Sequence, residues 1–234
     1  MKFTKPYFLI EDEIDGSKIL NKLERAGRTC YKSEDRITEE SSPKFVKSIL
    51  DRGHESVIEH ESVSVRIICD RGVTHEIVRH RLASYSQEST RYCNYGKADG
   101  VTFVIPPFLR QLEIIEPGVN YKLDDIIQVF KESAVDQKDD VSIEWFVAMA
   151  QAEKTYNNML ALGMSPQYAR SVLPNSLKTE IVMSCNLREW RHFFNLRTAK
   201  AAHPQMREIA VPLLKEFQNL IPIIFDDIEP FEGE

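Results

Sequence analysis

The sequence predicts an α+β fold: one domain spanning 1–234, with helices packed on a mixed or antiparallel sheet. Three observations carry this. The length suits one domain and a core that needs no disulfide or metal. Glu61 to Cys69 alternates, Val63, Val65, Ile67 and Cys69 on one side against Ser62, Ser64 and Arg66 on the other, which is the period of a half-buried strand. Strand-like and helix-like segments are interleaved without a strict βαβ rhythm, and no G-x-G-x-x-G or P-loop is present.

Taken in order, Lys2 to Ile10 reads as a strand and Ser17 to Ala26 as a short helix. Ser42-Pro43 is an N-cap followed by proline at the first helical position, opening a helix that ends near Gly53. After the Glu61 strand, Val73 to Leu82 places Val73, Ile77 and Val78 on one helical face, and a hydroxyl-rich loop follows. Val101 to Ile105 is a strand stopped by Pro106-Pro107. Leu123 to Ser133 and Ile143 to Leu162 read as helices, joined by a charged, solvated connection over Asp136 to Asp140. Ser165-Pro166 caps a short helix that ends before Pro174, and Leu177 to Cys185 is a third strand. Asn186 caps the next helix with Glu189 at its N3 position, a variant of the capping box. The last helix runs from about Pro204 to Leu220, and the acidic tail after Phe225 is expected to be frayed or loosely packed.

Net charge is −6, which argues against a general nucleic-acid binder. The charge is uneven. Val65 to Tyr92 holds Arg66, Arg71, Arg79, Arg81 and Arg91 against Asp70, Glu76 and Glu88. Arg170 to Arg207 holds seven basic residues against Glu180 and Glu189. Two cationic segments in an acidic chain point to a focused site for a small anion. Cys30, Cys69, Cys93 and Cys185 form no C-x-x-C, and a reducing cytoplasm is the simplest reading. The apolar run Tyr7 to Ile10 is too short for a signal peptide, and nothing approaches a membrane span.

The run Arg79-His80-Arg81-Leu82-Ala83-Ser84-Tyr85-Ser86-Gln87-Glu88-Ser89-Thr90-Arg91 carries the chemistry of phosphate holding. Arginine's planar fork pairs two oxygens at once, and Ser and Thr hydroxyls fill the remaining acceptor sites. Upstream, Glu76 and Arg79 are three apart and expected to pair across a helix face. Downstream lie Arg170-Ser171-Val172-Leu173-Pro174 and the helix Asn186-Leu187-Arg188-Glu189-Trp190-Arg191-His192-Phe193-Phe194-Asn195-Leu196-Arg197. On that helix Arg188, His192 and Asn195 form one polar stripe. Read alone, it is an amphipathic helix with an aromatic core face and arginines in water. His54-Glu55-Ser56-Val57-Ile58-Glu59-His60 resembles a metal motif at first sight. The histidines are six positions apart, about 240° around a helix, so helical co-ligation fails and no metal is expected; the plain reading is a polar loop entering the next strand.

The order and spacing of these motifs, from His54 to Arg197, resemble the flavin-dependent thymidylate synthases. That resemblance implies conversion of dUMP to dTMP, with methylenetetrahydrofolate giving the carbon and NADPH reducing bound FAD, in a homotetramer whose sites draw on several subunits. It implies dUMP contacts for Glu76, Arg79, Gln87, Ser89, Arg91, Arg170 and Arg197. For FAD it implies His54, Ser56, Glu59, Arg79, His80, Arg81, Gln87, Asn186, Arg188 and His192. Many members have glutamine where this chain has Glu76 and an acidic residue where it has Gln87, as though one carboxylate near the uracil had changed position. Many also have asparagine in place of His192. Arg197 is the catalytic candidate: it cannot readily act as a base, so stabilising an ionised uracil ring is its reasonable role. Two rivals stand beside this reading. A nucleotide-binding regulatory protein without catalysis would have no use for His80, Arg81, Asn186 and Arg188; an NADPH–flavin reductase would have none for Arg91 and Arg170.

Overall fold

The computed structural model describes residues 1–97, 100–109, 116–132 and 138–233, without the side chains of 129–132 and 138–140. Among the described residues the strands are β1 Lys2–Thr4, β2 Tyr7–Ile10, β3 Ser62–Asp70, β4 Ala83–Gln87, β5 Thr102–Val104 and β6 Lys178–Asn186. The helices are α1 Gly16–Thr29, α2 Ser41–Asp51, α3 Arg71–Ile77, α4 Leu123–Glu132, α5 Lys138–Ala161, α6 Pro166–Ala169, α7 Leu187–Arg197 and α8 Pro204–Leu220. β1 and β5 pair in parallel; the other sheet has the order β2-β3-β6-β4. Arg71 N–H donates to Leu177 O and Leu187 N–H to Glu61 O, so β3 and β6 run antiparallel. The fold is thus mixed α+β, as expected. No helix among the described residues is long and apolar enough to cross a membrane.

Several expected boundaries change. The first strand is two strands in different sheets, broken at Lys5-Pro6, where proline lacks the N–H that a ladder needs. α2 begins at Ser41, so Ser42 lies inside the helix and Glu40 takes the cap position. Its far end is as read: Gly53 adopts φ +71, and the N–H groups of Gly53 and His54 return to Leu50 and Ile49. His54 to His60 is a 3-10 turn over Glu55–His60 rather than an irregular loop. α3 stops at Ile77, which leaves Arg79-His80-Arg81 beyond the helix, and the expected loop is strand β4. The helix expected to reach Ser133 is described only to Glu132; residues 136 and 137 of the charged connection lie outside the described residues, while 138–140 open α5.

The chain divides into two compact units. The first comprises Met1–Tyr7, Ile68–His75 and Gln87–Ile181. Its core gathers Phe3, Phe103, Phe146, Tyr156 and Leu177, with Phe3 and Phe146 meeting edge to face at 5.2 Å. The second comprises Phe8–Ile67, Glu76–Ser86 and Val182–Glu234. Its core is an aromatic stack in which Trp190, Phe193 and Phe194 of α7 meet Phe217 of α8 and Phe225. Trp190 also donates its indole N–H to Val63 O. Truncating one of these rings to alanine costs about 3–5 kcal/mol. The acidic tail is not frayed: Phe225 and Ile228 are buried, and Phe231 N–H donates to Thr198 O.

Candidate active site

In the second unit the turn after α3 is clamped from behind. The Tyr85 hydroxyl, carried on β4, lies 2.9 Å from Ile77 O and 2.6 Å from His80 O. Burial holds that phenol well above its ordinary pKa, so it stays a donor. The clamp turns the His80 ring inward to 3% exposure, against Phe193 and His192 of α7.

Both His80 nitrogens are engaged. Arg197 Nε, which can only donate, reaches His80 Nε2 at 3.1 Å. Nε2 is therefore the acceptor and Nδ1 carries the proton, given to Glu189 Oε1 at 3.2 Å. Burial first, then the charges of Arg197 and His192, push the imidazole down to about 4, so the ring is neutral near pH 7. His80–Glu189 is thus a neutral histidine on a carboxylate rather than an ion pair. Burial likewise raises Glu189 above the usual carboxylate range, opposed by His192.

Arg197 is held at all three nitrogens. Besides Nε, its Nη1 donates to Glu76 Oε2 at 2.8 Å and its Nη2 to Glu76 O at 2.9 Å. The expected Glu76–Arg79 pair is replaced by this one, because α3 ends at Ile77, two residues before Arg79. Arg79 and Arg81 are exposed.

His80, Glu189 and His192 bring three ligand atoms within 4.8 Å of one another. A cation on His80 Nδ1 would force the ring proton onto Nε2, against the obligate donor of Arg197. The hydrogen-bonded arrangement therefore opposes a metal there.

Beside this network is a concavity of about 710 Å³ lined by Glu59, Leu82, Asn186, Arg188, His192 and Asn195, with Glu55, Glu189 and Arg191. Its volume is that of a small-molecule or cofactor pocket. Asn186 serves as the expected cap, accepting from Glu189 N–H, and so starts α7 with Arg188, His192 and Asn195 facing the concavity. Arg188 pairs with Glu59 at 2.6 Å. Arg191 grips both Asp227 oxygens and also reaches Glu55, which fastens α7 to the tail. His54 and Ser56 are exposed and do not line the concavity. A second concavity of about 750 Å³, lined by Asp12, Asp15, Lys18, Lys22 and Arg25 among others, contains none of the expected residues.

The remaining expected residues lie in the first unit. Gln87 donates to Thr74 Oγ1 at 3.0 Å and Thr179 Oγ1 at 3.4 Å. Ser89 Oγ accepts Arg91 N–H at 3.3 Å, and exposed Arg91 lies over the Tyr92 ring. Arg170 Nη1 donates to Thr90 Oγ1 at 2.9 Å. Glu88 is committed to Tyr95 and Lys178. Sequence reasoning missed Tyr85, Thr74, Thr90 and the Glu189 side chain, whose importance rests on distant partners.

The fold is mixed α+β, and the candidate residues fall into two arginine-rich groups, one in each unit. The family model for thymidylate synthase complementing protein matches residues 15–223. The flavin-dependent thymidylate synthase of Mycolicibacterium vanbaalenii is 34% identical, over 93% of this chain and 82% of that protein. That of Pyrococcus furiosus is 33% identical, over 87% and 72%. Among solved structures, a UMP/dUMP methylase, PolB from Streptomyces cacaoi bound with 5-Br dUMP, shares the fold with a TM-score of 0.71 at 24% identity, covering 97% of this chain and 96% of that one. The chain belongs to the flavin-dependent thymidylate synthase family.

Proposed function

We propose that the protein converts dUMP to dTMP by reductive methylation, as one 1–234 domain in a cytoplasmic homotetramer whose sites draw on several subunits. When bound, FAD reduced by NADPH supplies the reducing equivalents, and methylenetetrahydrofolate supplies the carbon. The concavity beside α7 fits the flavin in volume and in its donors, with Asn186, Arg188 and His192 as its holders. The remaining flavin contacts proposed are His54, Ser56, Glu59, Arg79, His80, Arg81 and Gln87. For dUMP they are Glu76, Arg79, Gln87, Ser89, Arg91, Arg170 and Arg197.

The observation that carries the chemical part is Arg197, fixed by Glu76 and by a neutral His80. Uracil C5 is a poor nucleophile until negative charge develops at N3 and O4. A guanidinium held in place before that charge appears stabilises it without reorganising, and it cannot act as the base. His80 supplies no competing positive charge because it stays neutral.

The test is direct. The purified protein should be yellow, should change its reduced-flavin spectrum on adding dUMP and folate, and should form dTMP in the presence of NADPH. NADPH oxidation without dTMP would replace the reading with a flavin reductase; nucleotide binding by colourless protein would replace it with a regulatory role. Light scattering should return a tetramer, and an active colourless monomer would overturn the assembly.

A further inference from the structure

Among the described residues, one buried side-chain nitrogen or oxygen has no hydrogen-bond partner: Arg71 Nη1. A buried donor left unpaired is costly, and a guanidinium more so, which marks the place of a missing acceptor. Arg71 opens α3, and its backbone is fixed there. Its N–H is shared between Asn175 O and Leu177 O, its carbonyl accepts from Thr74 Oγ1, and the Asp70 carboxylate caps the same turn through Val73 N–H.

The side chain borders a cavity of about 230 Å³, shared with Thr90, Arg170, Ser171 and Asn175. No carboxylate lines it, so neither guanidinium meets an acidic partner in the cavity. Thr90 Oγ1 already accepts from Arg170 Nη1, so the hydroxyl proton remains to be given elsewhere. Two guanidinium groups and further hydroxyl and amide donors exceed what the two oxygens of one carboxylate can accept. They suit a dianion with three terminal oxygens. The volume is below that of a pocket for a whole cofactor and suits a head group.

We propose that Arg71 adds a further guanidinium to the nucleotide contacts proposed above for Ser89, Arg91 and Arg170, its orphaned Nη1 serving a phosphate monoester in this pocket. The inference rests on the proposed function and adds to it a residue, Arg71, outside the set above. Two ligands of that reaction carry such a group: the 5′-phosphate of dUMP and the 2′-phosphate of NADPH. The adjoining Ser89 and Arg91 favour the first.

The flavin-loaded protein and its Arg71→Ala and Arg71→Lys variants are titrated calorimetrically with dUMP and with deoxyuridine, and KM is measured for NADPH and NADH. Thermal melting confirms that the variants fold. Arg71→Ala should weaken dUMP about tenfold to a hundredfold, as expected for hydrogen bonds to a charged group, and leave deoxyuridine unchanged. Lysine should recover part of the loss. A raised KM for NADPH but not NADH, with dUMP unaltered, would keep the pocket and assign it to the dinucleotide. Equal weakening of dUMP and deoxyuridine, or no effect on either phosphate, would overturn the proposal. A wild-type protein that binds no dUMP would sink the proposed function instead, and the same comparison with inorganic phosphate would then decide the pocket.

Discussion

Arg197 Nε and His80 Nε2 lie 3.1 Å apart, and because the first can only donate, the second must be unprotonated. Glu189 favours that tautomer from the other side of the ring by accepting the hydrogen bond of Nδ1–H. The order Glu189, His80, Arg197, Glu76 is therefore a chain in which each group sets the hydrogen-bond role of the next. Removing its working end, Arg197→Ala, should lower kcat on the order of 10²-fold or more, as loss of an oxyanion-type donor does. Full activity in that variant would remove Arg197 from the chemistry.

Glu189 acts only through His80, so its loss should be milder and graded. Glu189→Ala should reduce kcat about tenfold, roughly one hydrogen bond's worth, with little change in KM for dUMP. Glu189→Gln, which keeps an acceptor for Nδ1–H, should retain most of the rate. Equal losses in both variants, or a change confined to KM, would show that Glu189 merely packs.

The depressed His80 titration has a consequence for stability. The ring ionises near 4 in the folded chain and near 6.5 when unfolded, so between those values the unfolded state binds more protons. Stability from this group is full above about 6.5 and is lost as pH falls toward 4, at no more than about 1.4 kcal/mol per pH unit. Glu189, raised in the fold, works in the opposite sense as pH rises above the usual carboxylate range. Melting temperature should therefore drop more steeply from pH 7 to 5 in the wild type than in His80→Gln. Parallel curves would mean that His80 titrates normally.

Glu76 and Gln87 are predicted to compensate one another. Glu76 accepts from Arg197, and Gln87 donates to Thr74 and Thr179. Glu76→Gln should cost activity, and adding Gln87→Glu should restore part of it, measurable as a coupling in a double-mutant cycle. Identical activity in the single and double variants would show no exchange of roles.

Ser89 and the cysteines should bind or pack rather than attack uracil. A serine nucleophile needs a neighbouring base; Ser89 Oγ instead meets Arg91 N–H, and Glu88 is committed to Tyr95 and Lys178. Burial drives the Cys69 and Cys185 thiols far above their ordinary range. Ser89→Ala should weaken dUMP yet keep turnover at saturation, and replacing Cys30, Cys69, Cys93 and Cys185 should keep turnover if the fold survives. A dUMP adduct on Ser89 or Cys93 in a quenched reaction would overturn this.

Regular patterns were legible and partner choices were not. β3 and β6 announce themselves by apolar alternation, and α7 by its Asn186 cap and aromatic face. β4 hides because its inward positions, Ala83, Tyr85 and Gln87, are scarcely more apolar than Ser84 and Ser86. The tail looked loose because acidic residues surround Phe225, Ile228 and Phe231, three apolar side chains too sparse to make a pattern. The motif singles out Arg197, yet i,i+3 spacing pairs its partner Glu76 with Arg79, since that spacing assumes a helix that continues. In sequence, Glu189 shows only as a capping residue. Its backbone N–H is indeed capped, but burial turns the carboxylate to His80. Arg71 carried no signal beyond its charge, because an unpaired donor is a property of the folded surroundings.

The tail holds α7 from two sides: Asp227 takes both prongs of Arg191 inside the helix, and Phe231 ties to Thr198 just past its end. The helix that aims Arg188, His192 and Arg197 is thus aligned by residues that touch no ligand. In a kinetic screen blind to structure, Asp227 would be scored as part of the catalytic machinery. A comparison of relatives at the motifs alone would leave out these contacts, made 36 residues downstream of Arg191.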